Sequence, residues 1–216
     1  MQSIGDDIMS YIESELKFLL ERKDFASLYR YLKENYASPQ LVRQTNYYFA
    51  ASRRAADLQL GSTRIRCVKG TYELTCKIPI AENSSGAMLN SYEYNAQISK
   101  EQAINYINNG LPAAAQKELL GDLNKIHGTP MRDLNCFGRL RTARFIFAIK
   151  KELPPLLLDS NAYLGTFDYE LEWELRESEA AHYLLHNWFK DLDIQPVGKI
   201  IPKVKRFFER LMESEI

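Results

Sequence analysis

Cysteine is scarce in this sequence, with three among 216 residues: Cys67, Cys76 and Cys136. Their odd number and the lack of any C-x-x-C spacing argue against both a disulfide framework and a zinc knuckle, and free thiols in the cytoplasm fit best. An excess of one charge is missing too, since 28 Lys and Arg balance 28 Asp and Glu. Net charge therefore gives no reason to expect a nucleic acid or a membrane surface as partner, and any electrostatic function must come from local clustering. No apolar run approaches the roughly 18 residues of a transmembrane helix. The opening MQSIGDDIMSYIESELK carries acids where a signal peptide needs a basic stretch and an apolar core, so no targeting segment is expected. Long linkers and repeats are also lacking. What is present is 45% hydrophobic content, enough for one well-buried domain spanning residues 1–216.

Helical periodicity is clearest over residues 21–36, where Phe25, Leu28, Tyr29, Leu32 and Tyr36 form an apolar stripe and Arg22, Lys23, Lys33 and Glu34 are left toward water. A second helical region starts at Ser99, with Gln102 completing a capping-box pattern; Gly110 and Pro112 interrupt it before AAAQKELL resumes. This reads as a helical insertion around 99–130. Two further helices are predicted near 178–190, with Ser178 as N-cap candidate, and 202–213, with Pro202 in the first turn. Their apolar faces suit the covering of a barrel.

The remaining segments read as strands. Because side chains alternate across a sheet, IESELKF puts Glu13, Glu15 and Lys17 on one face, with Ile12, Leu16 and Phe18 tending to the other. The same parity groups Arg64 with Arg66 in TRIRCV, Glu73 with Thr75 and Lys77 in YELTCKI, and Glu93 with Asn95 and Gln97 in YEYNAQ. In DYELEWE it sets Asp168, Glu170, Glu172 and Glu174 against Tyr169, Leu171 and Trp173. Each such strand alone reads equally well as a solvated sheet face with cross-strand ion pairs. Taken together they favour another arrangement, because amphipathic helices need apolar surface to pack on and the Leu, Phe, Trp and Tyr faces supply it. The charged faces then point into a closed barrel with a polar lumen. Fixed cations in such a lumen suit the oxygens of a triphosphate, and a carboxylate cluster suits Mg²⁺ or Mn²⁺ bridging them.

The motifs resemble the CYTH superfamily, the triphosphate tunnel metalloenzymes, which include thiamine triphosphatases, inorganic triphosphatases and class IV adenylate cyclases. The E-x-E-x-K of Glu13, Glu15 and Lys17 is the signature. TRIR with Arg64 and Arg66, ELTCK with Lys77, TAR with Arg144, LDSNAYLGTFDYELE with Asp159, Glu170 and Glu172, and the late Lys203 follow in the family's order. The resemblance covers nearly the whole chain from about residue 8, and the insertion looks like that of bacterial, firmicute-type members. It implies a mainly β, α+β fold: a closed antiparallel barrel of about eight strands with helices packed outside. It also implies that Glu13, Glu15, Asp159, Glu170 and Glu172 hold one or two divalent metals, and that Lys17, Arg64, Arg66, Lys77, Arg144 and Lys203 grip phosphates. Lys17, Glu170 and Glu172 would then be the residues closest to catalysis. The implied activity is hydrolysis of inorganic tripolyphosphate or of a small organic triphosphate such as thiamine triphosphate. Adenylate cyclisation and phosphate binding without catalysis are the alternatives.

One departure bears on substrate choice. Family members commonly follow a Tyr-Phe or Tyr-Tyr pair with Asp-Thr, whereas Tyr48 and Phe49 here run into Ala50 and Ala51. Tyr48 matches a tyrosine near the reacting phosphate but reads equally as an ordinary strand aromatic. Glu93 is a further lumen candidate. His182 and His186 stand four apart on a predicted helix, yet no third metal ligand accompanies them. Trp173 and Trp188 are expected in helix-on-barrel packing. In GRLRTARF, Arg139 and Arg141 lie on the parity opposite to Arg144, so Arg144 is the phosphate candidate unless a β-bulge shifts the phase.

Overall fold

In the computed structural model, which describes residues 8–52, 61–80, 88–121, 132–175, 179–197 and 201–214, the alternating segments form eight strands. They are β1 (Met9–Leu20), β2 (Gln40–Ala50), β3 (Ser62–Val68), β4 (Thr71–Pro79), β5 (Met88–Ile98), β6 (Asn135–Phe147), β7 (Leu156–Tyr163) and β8 (Thr166–Glu174). They close into a barrel in the order β1-β5-β4-β3-β2-β6-β7-β8, and every neighbouring pair is antiparallel. Closure joins the first strand to the last, with Glu15 opposite Glu174 and Lys17 opposite Glu172. Closing the sheet removes the unpaired edges that an open one would present. Tight hairpins at Lys69–Gly70 and Leu164–Gly165, all four residues at positive φ, match the twist of the strands they join.

Among the described residues five helices accompany the barrel: α1 (Arg22–Asn35), α2 (Lys100–Asn109), α3 (Ala113–Leu120), α4 (Glu179–Asp191) and α5 (Lys203–Glu213). The α2 start carries the predicted capping box, with Gln102 N–H donating to Ser99 Oγ at 3.1 Å and Ser99 N–H donating to Gln102 Oε1 at 2.9 Å. Gly110 ends α2, and α3 resumes after Pro112. Pro202 is the N-cap of α5 and so lies one residue before the predicted first turn; Ser178 falls outside the described residues. No helix among the described residues is long and apolar enough to cross a membrane.

The apolar core lies between the barrel wall and its helices. Leu28 and Leu32 of α1 and Ala181, Leu185 and Trp188 of α4 pack on the outward faces of β1, β6, β7 and β8, through Leu16, Phe147, Leu158, Leu171 and Trp173. Trp173 stacks on Trp188 with ring centroids 6.0 Å apart, the helix-on-barrel role expected of both. On the other side, α2 and α3 cover Ile65, Leu74 and Ala96 with Ala103, Tyr106, Ala115 and Leu119. With its apolar side chains turned outward, the wall leaves the polar parity for the interior.

The last helix departs from the outside position. Phe207 of α5, fully buried, packs with Tyr48, Leu140 and Tyr163 at one mouth of the barrel, 5.5 Å from the Tyr48 ring. Gly138 makes room for it: a Cβ there would come within 2.9 Å of Phe207 Cζ. The helix thus seats its Lys203–Arg206–Phe207 face in the lumen, where the sequence pattern alone suggested an external cover.

Candidate functional site

Inward parity brings the sequence-selected residues together. Glu13, Glu15, Lys17, Arg64, Arg66, Lys77, Glu93, Arg144, Glu172 and Lys203 line one cavity of about 220 Å³. Asp159 and Glu170, both fully buried, lie just beyond that lining and contact it through Lys203. A larger open groove of about 880 Å³ runs outside between α1 and the wall, lined by Phe25, Tyr29, Phe145 and Tyr169 among others. It offers no opposed clusters of acids and bases, so the chemistry points to the lumen.

On the β7–β8 side, Asp159, Glu170 and Glu172 present carboxylate oxygens all within 4.8 Å of one another. Arg144 grips Asp159 with a fork, Nε to Oδ1 at 2.9 Å and Nη2 to Oδ2 at 2.7 Å, and reaches Glu172 Oε2 at 2.5 Å. Lys17 Nζ lies 2.6 Å from Glu172 Oε1 and 3.3 Å from Glu15 Oε1, so a β1 ammonium joins the β1 and β8 acids. The β1 carboxylates Glu13 and Glu15 are not in the three-acid group. Lys77 contacts Glu13 and sits 3.5 Å from Glu15. Burial alone would raise the Glu15 carboxyl, but Lys17, Lys77 and Lys203 outweigh it and hold it down at about 2. Burial is likewise outweighed at Asp159, where Lys203 and Arg144 keep the carboxylate ionised. Burial raises Glu13, and Lys77 only partly offsets it against Glu15 and Glu93.

The β3 wall has the opposite imbalance. Arg66 makes no ion pair with a described residue; its Nε donates to Asn46 Oδ1 at 3.3 Å. Arg64 has one long contact, 3.9 Å to Glu93, while Arg64 Nε, Glu93 Oε2 and Asn95 Oδ1 are buried without a hydrogen-bond partner. Burial, with Arg64 and Arg144 nearby, pushes Arg66 down to about 10. Buried groups of this kind are costly to leave unmatched. An anion with several acceptor oxygens would satisfy both guanidiniums.

Tyr48 is buried opposite Arg64 in the β2–β3 register and lines the cavity, so its ring packs on α5 while its strand position faces the arginine wall. Ala50 joins the same apolar cluster as Phe207 and Phe208, which gives the Ala at this position a packing role. A β-bulge does occur in the β2–β6 pairing, between Tyr48 and Phe49. It falls before Arg139, so the later phase is unchanged: Arg139 and Arg141 are exposed and Arg144 faces inward. His182 and His186 are exposed on α4.

Sequence reasoning did not select Arg206, whose Nε lies 2.8 Å from Asp168 Oδ2 and whose Nη2 lies 3.0 Å from Glu170 Oε2. Nor did it select Asn161, whose Nδ2 donates to Asp168 and Glu170 at 2.8 and 3.0 Å. The available signal for Arg206 was its place three residues after Lys203, on the same helix face.

The profile of the CYTH domain family matches residues 11–200 of the chain. A Bacillus subtilis (strain 168) protein, YjbK, provisionally named a triphosphatase, is 25% identical over 203 residues, which are 94% of this chain and 97% of YjbK. Among solved structures, a Bacillus halodurans protein provisionally described as an adenylate cyclase is 27% identical and superposes with a TM-score of 0.68 over 92% of this chain and 98% of its own. HpAC1 from Hippeastrum, described as an adenylyl cyclase candidate with a dominant triphosphatase activity, shares the fold at 21% identity. Its TM-score is 0.70, over 91% of this chain and 95% of HpAC1.

Proposed function

Because the chain belongs to the CYTH domain family, we propose that it binds a compact triphosphate in the barrel lumen and hydrolyses it with the help of Mg²⁺ or Mn²⁺. The observation that carries this reading is one cavity with a cationic wall, Arg64 and Arg66, and, across it, Glu172, the cavity-facing member of a carboxylate cluster that Asp159 and Glu170 complete behind the lining. On the same reading the whole chain is one such domain, and α2–α3 belong to an insertion between β5 and β6.

Each group has a task its chemistry suits. Arg64 and Arg66 offer planar forks to phosphate oxygens, and Lys77 and Lys203 add point charges on flexible stems. Arg144 both binds and holds Asp159 and Glu172 in place. The donor set beside them consists of carboxylate oxygens alone, which fits a hard cation such as Mg²⁺ or Mn²⁺. Asp159, Glu170 and Glu172 would hold such an ion, with Glu13 and Glu15 from β1 as further ligands. When bound, the ion neutralises phosphate charge and lowers the pKa of a water. Lys17, between Glu15 and Glu172, would stabilise charge that develops on the leaving phosphate. Inorganic tripolyphosphate, or a small organic triphosphate such as thiamine triphosphate, is the substrate class.

A product assay with Mg²⁺ and with Mn²⁺ on tripolyphosphate, thiamine triphosphate and ATP tests the proposal. Phosphate release from the first two is the expected result. Cyclic AMP from ATP would replace hydrolysis by attack of a ribose hydroxyl on the α-phosphorus, and tight binding without any product would leave the lumen a phosphate-binding module.

A further inference from the structure

The acids Asp159, Glu170 and Glu172 already surround a cation of the chain's own. Lys203 Nζ lies 2.6 Å from Asp159 Oδ2, 2.5 Å from Glu170 Oε1 and 3.1 Å from Glu172 Oε1. Other basic groups reach only part of the set: Arg144 pairs with Asp159 and Glu172, Lys17 with Glu172 and, at 4.0 Å, Glu170, and Arg206 with Glu170. Lys203 alone, among the described residues, contacts all three. Its ammonium stands where a single ion would meet all three carboxylates. A divalent ion needs those oxygens at about 2.0–2.6 Å, and a second cation cannot remain within hydrogen-bond distance of the same atoms without strong repulsion.

We propose that Lys203 is a resident counter-cation, and that a divalent ion is held only when Lys203 withdraws from the three carboxylates. The inference rests on the metal-binding reading of Asp159, Glu170 and Glu172 given above. Placement on the chain makes the withdrawal local. Lys203 opens α5 directly after the N-cap Pro202, on a long flexible side chain. One turn later the helix stays anchored by Arg206 on Asp168 and Glu170 and by Phe207 against Tyr48 and Tyr163. Pro202, Lys203, Val204 and Lys205 all line the cavity, so a displaced ammonium remains inside it, free to meet an anion there. Lys203 thus trades carboxylate partners for phosphate oxygens, and metal and triphosphate binding become mutually supportive through one side chain.

The test is calorimetric titration of Mn²⁺ alone into the wild-type chain, Lys203→Met and Glu170→Gln. Lys203→Met is expected to bind Mn²⁺ at least tenfold more tightly than wild type. It should also melt at a lower temperature without metal and recover on adding Mn²⁺, because three buried acids have lost their shared cation. Equal or weaker Mn²⁺ binding by Lys203→Met, with binding lost in Glu170→Gln, would overturn the exchange and leave the metal site standing. Unchanged Mn²⁺ binding in Glu170→Gln would remove the metal site and the exchange with it. Lysine-selective acylation of the wild-type chain, read by peptide mass spectrometry, needs no variant to fold and reports the Lys203 ammonium directly. Labelling of Lys203 is expected to rise when Mn²⁺ is added, and unaltered labelling at saturating Mn²⁺ would also overturn the proposal.

Discussion

Arg64 and Arg66 are half-buried, and among the described residues almost no carboxylate stands against them, whereas Arg144 is held by two. An incoming anion therefore gains most from the first pair. Arg64→Ala or Arg66→Ala is expected to weaken tripolyphosphate binding by about 1.5–3 kcal/mol, the worth of a charge-assisted hydrogen bond, as read by calorimetry. Glu15 answers to pH. Its folded carboxyl is held at about 2 against an ordinary 4.5, so below 4.5 the unfolded chain takes up its proton first. The stability Glu15 contributes is thus full above about 4.5 and is lost as pH falls toward 2. Thermal melts across that range should steepen in wild type, and Glu15→Gln should flatten the dependence while melting lower at pH 7, since Lys17 and Lys77 lose a partner. The inward or outward choice at these residues was legible because the period of two is a local property of a strand. Arg144 was separable from Arg139 and Arg141 on that ground, and the bulge fell where it left the phase intact. Arg206 and Asn161 were not legible, because their contacts depend on where a distant helix docks.

At the level of elements, a hydrophobic stripe shows which face of a helix is buried and not what it is buried against. For α1 the two questions have one answer: Leu28 and Leu32 are fully buried on the outside of the wall, as their spacing predicted. Leu28→Ala should cost about 2–5 kcal/mol in denaturant unfolding while leaving the lumen's affinity for tripolyphosphate unchanged. For α5 the answers separate. Its apolar residues would suit an external groove equally well, yet Phe207 sits in the mouth of the barrel. Phe207→Ala, expected to cost about 3–5 kcal/mol, should therefore also alter tripolyphosphate binding, because the helix that carries Lys203 and Arg206 loses its anchor. Comparing the two variants by calorimetry under conditions where both are folded separates wall packing from lumen packing. The capping box at Ser99 was legible for the opposite reason, since all its partners lie within one turn.

Across the whole molecule the usual division of polarity is reversed, with an apolar outer wall under helices and charges of both signs inside. Glu170→Gln and Glu172→Gln test what the interior acids are for. Loss of Mg²⁺ or Mn²⁺ activation in a folded variant is the expected outcome, read from metal titrations of phosphate release beside melts without metal; lower stability with wild-type metal dependence would mark them as structural ion pairs. The closure of the sheet bears on kinetics as well. Lys17 and Glu172 face each other across the pairing of the first strand with the last, a contact between segments far apart in the chain, and such contacts are slow to form because the intervening chain must first be ordered. The site comes into being only when that seam shuts. A ligand that bridges β1 and β8 has nothing to hold in the open chain, so it leaves the refolding rate unchanged and acts as a clasp afterwards, slowing the unfolding rate instead.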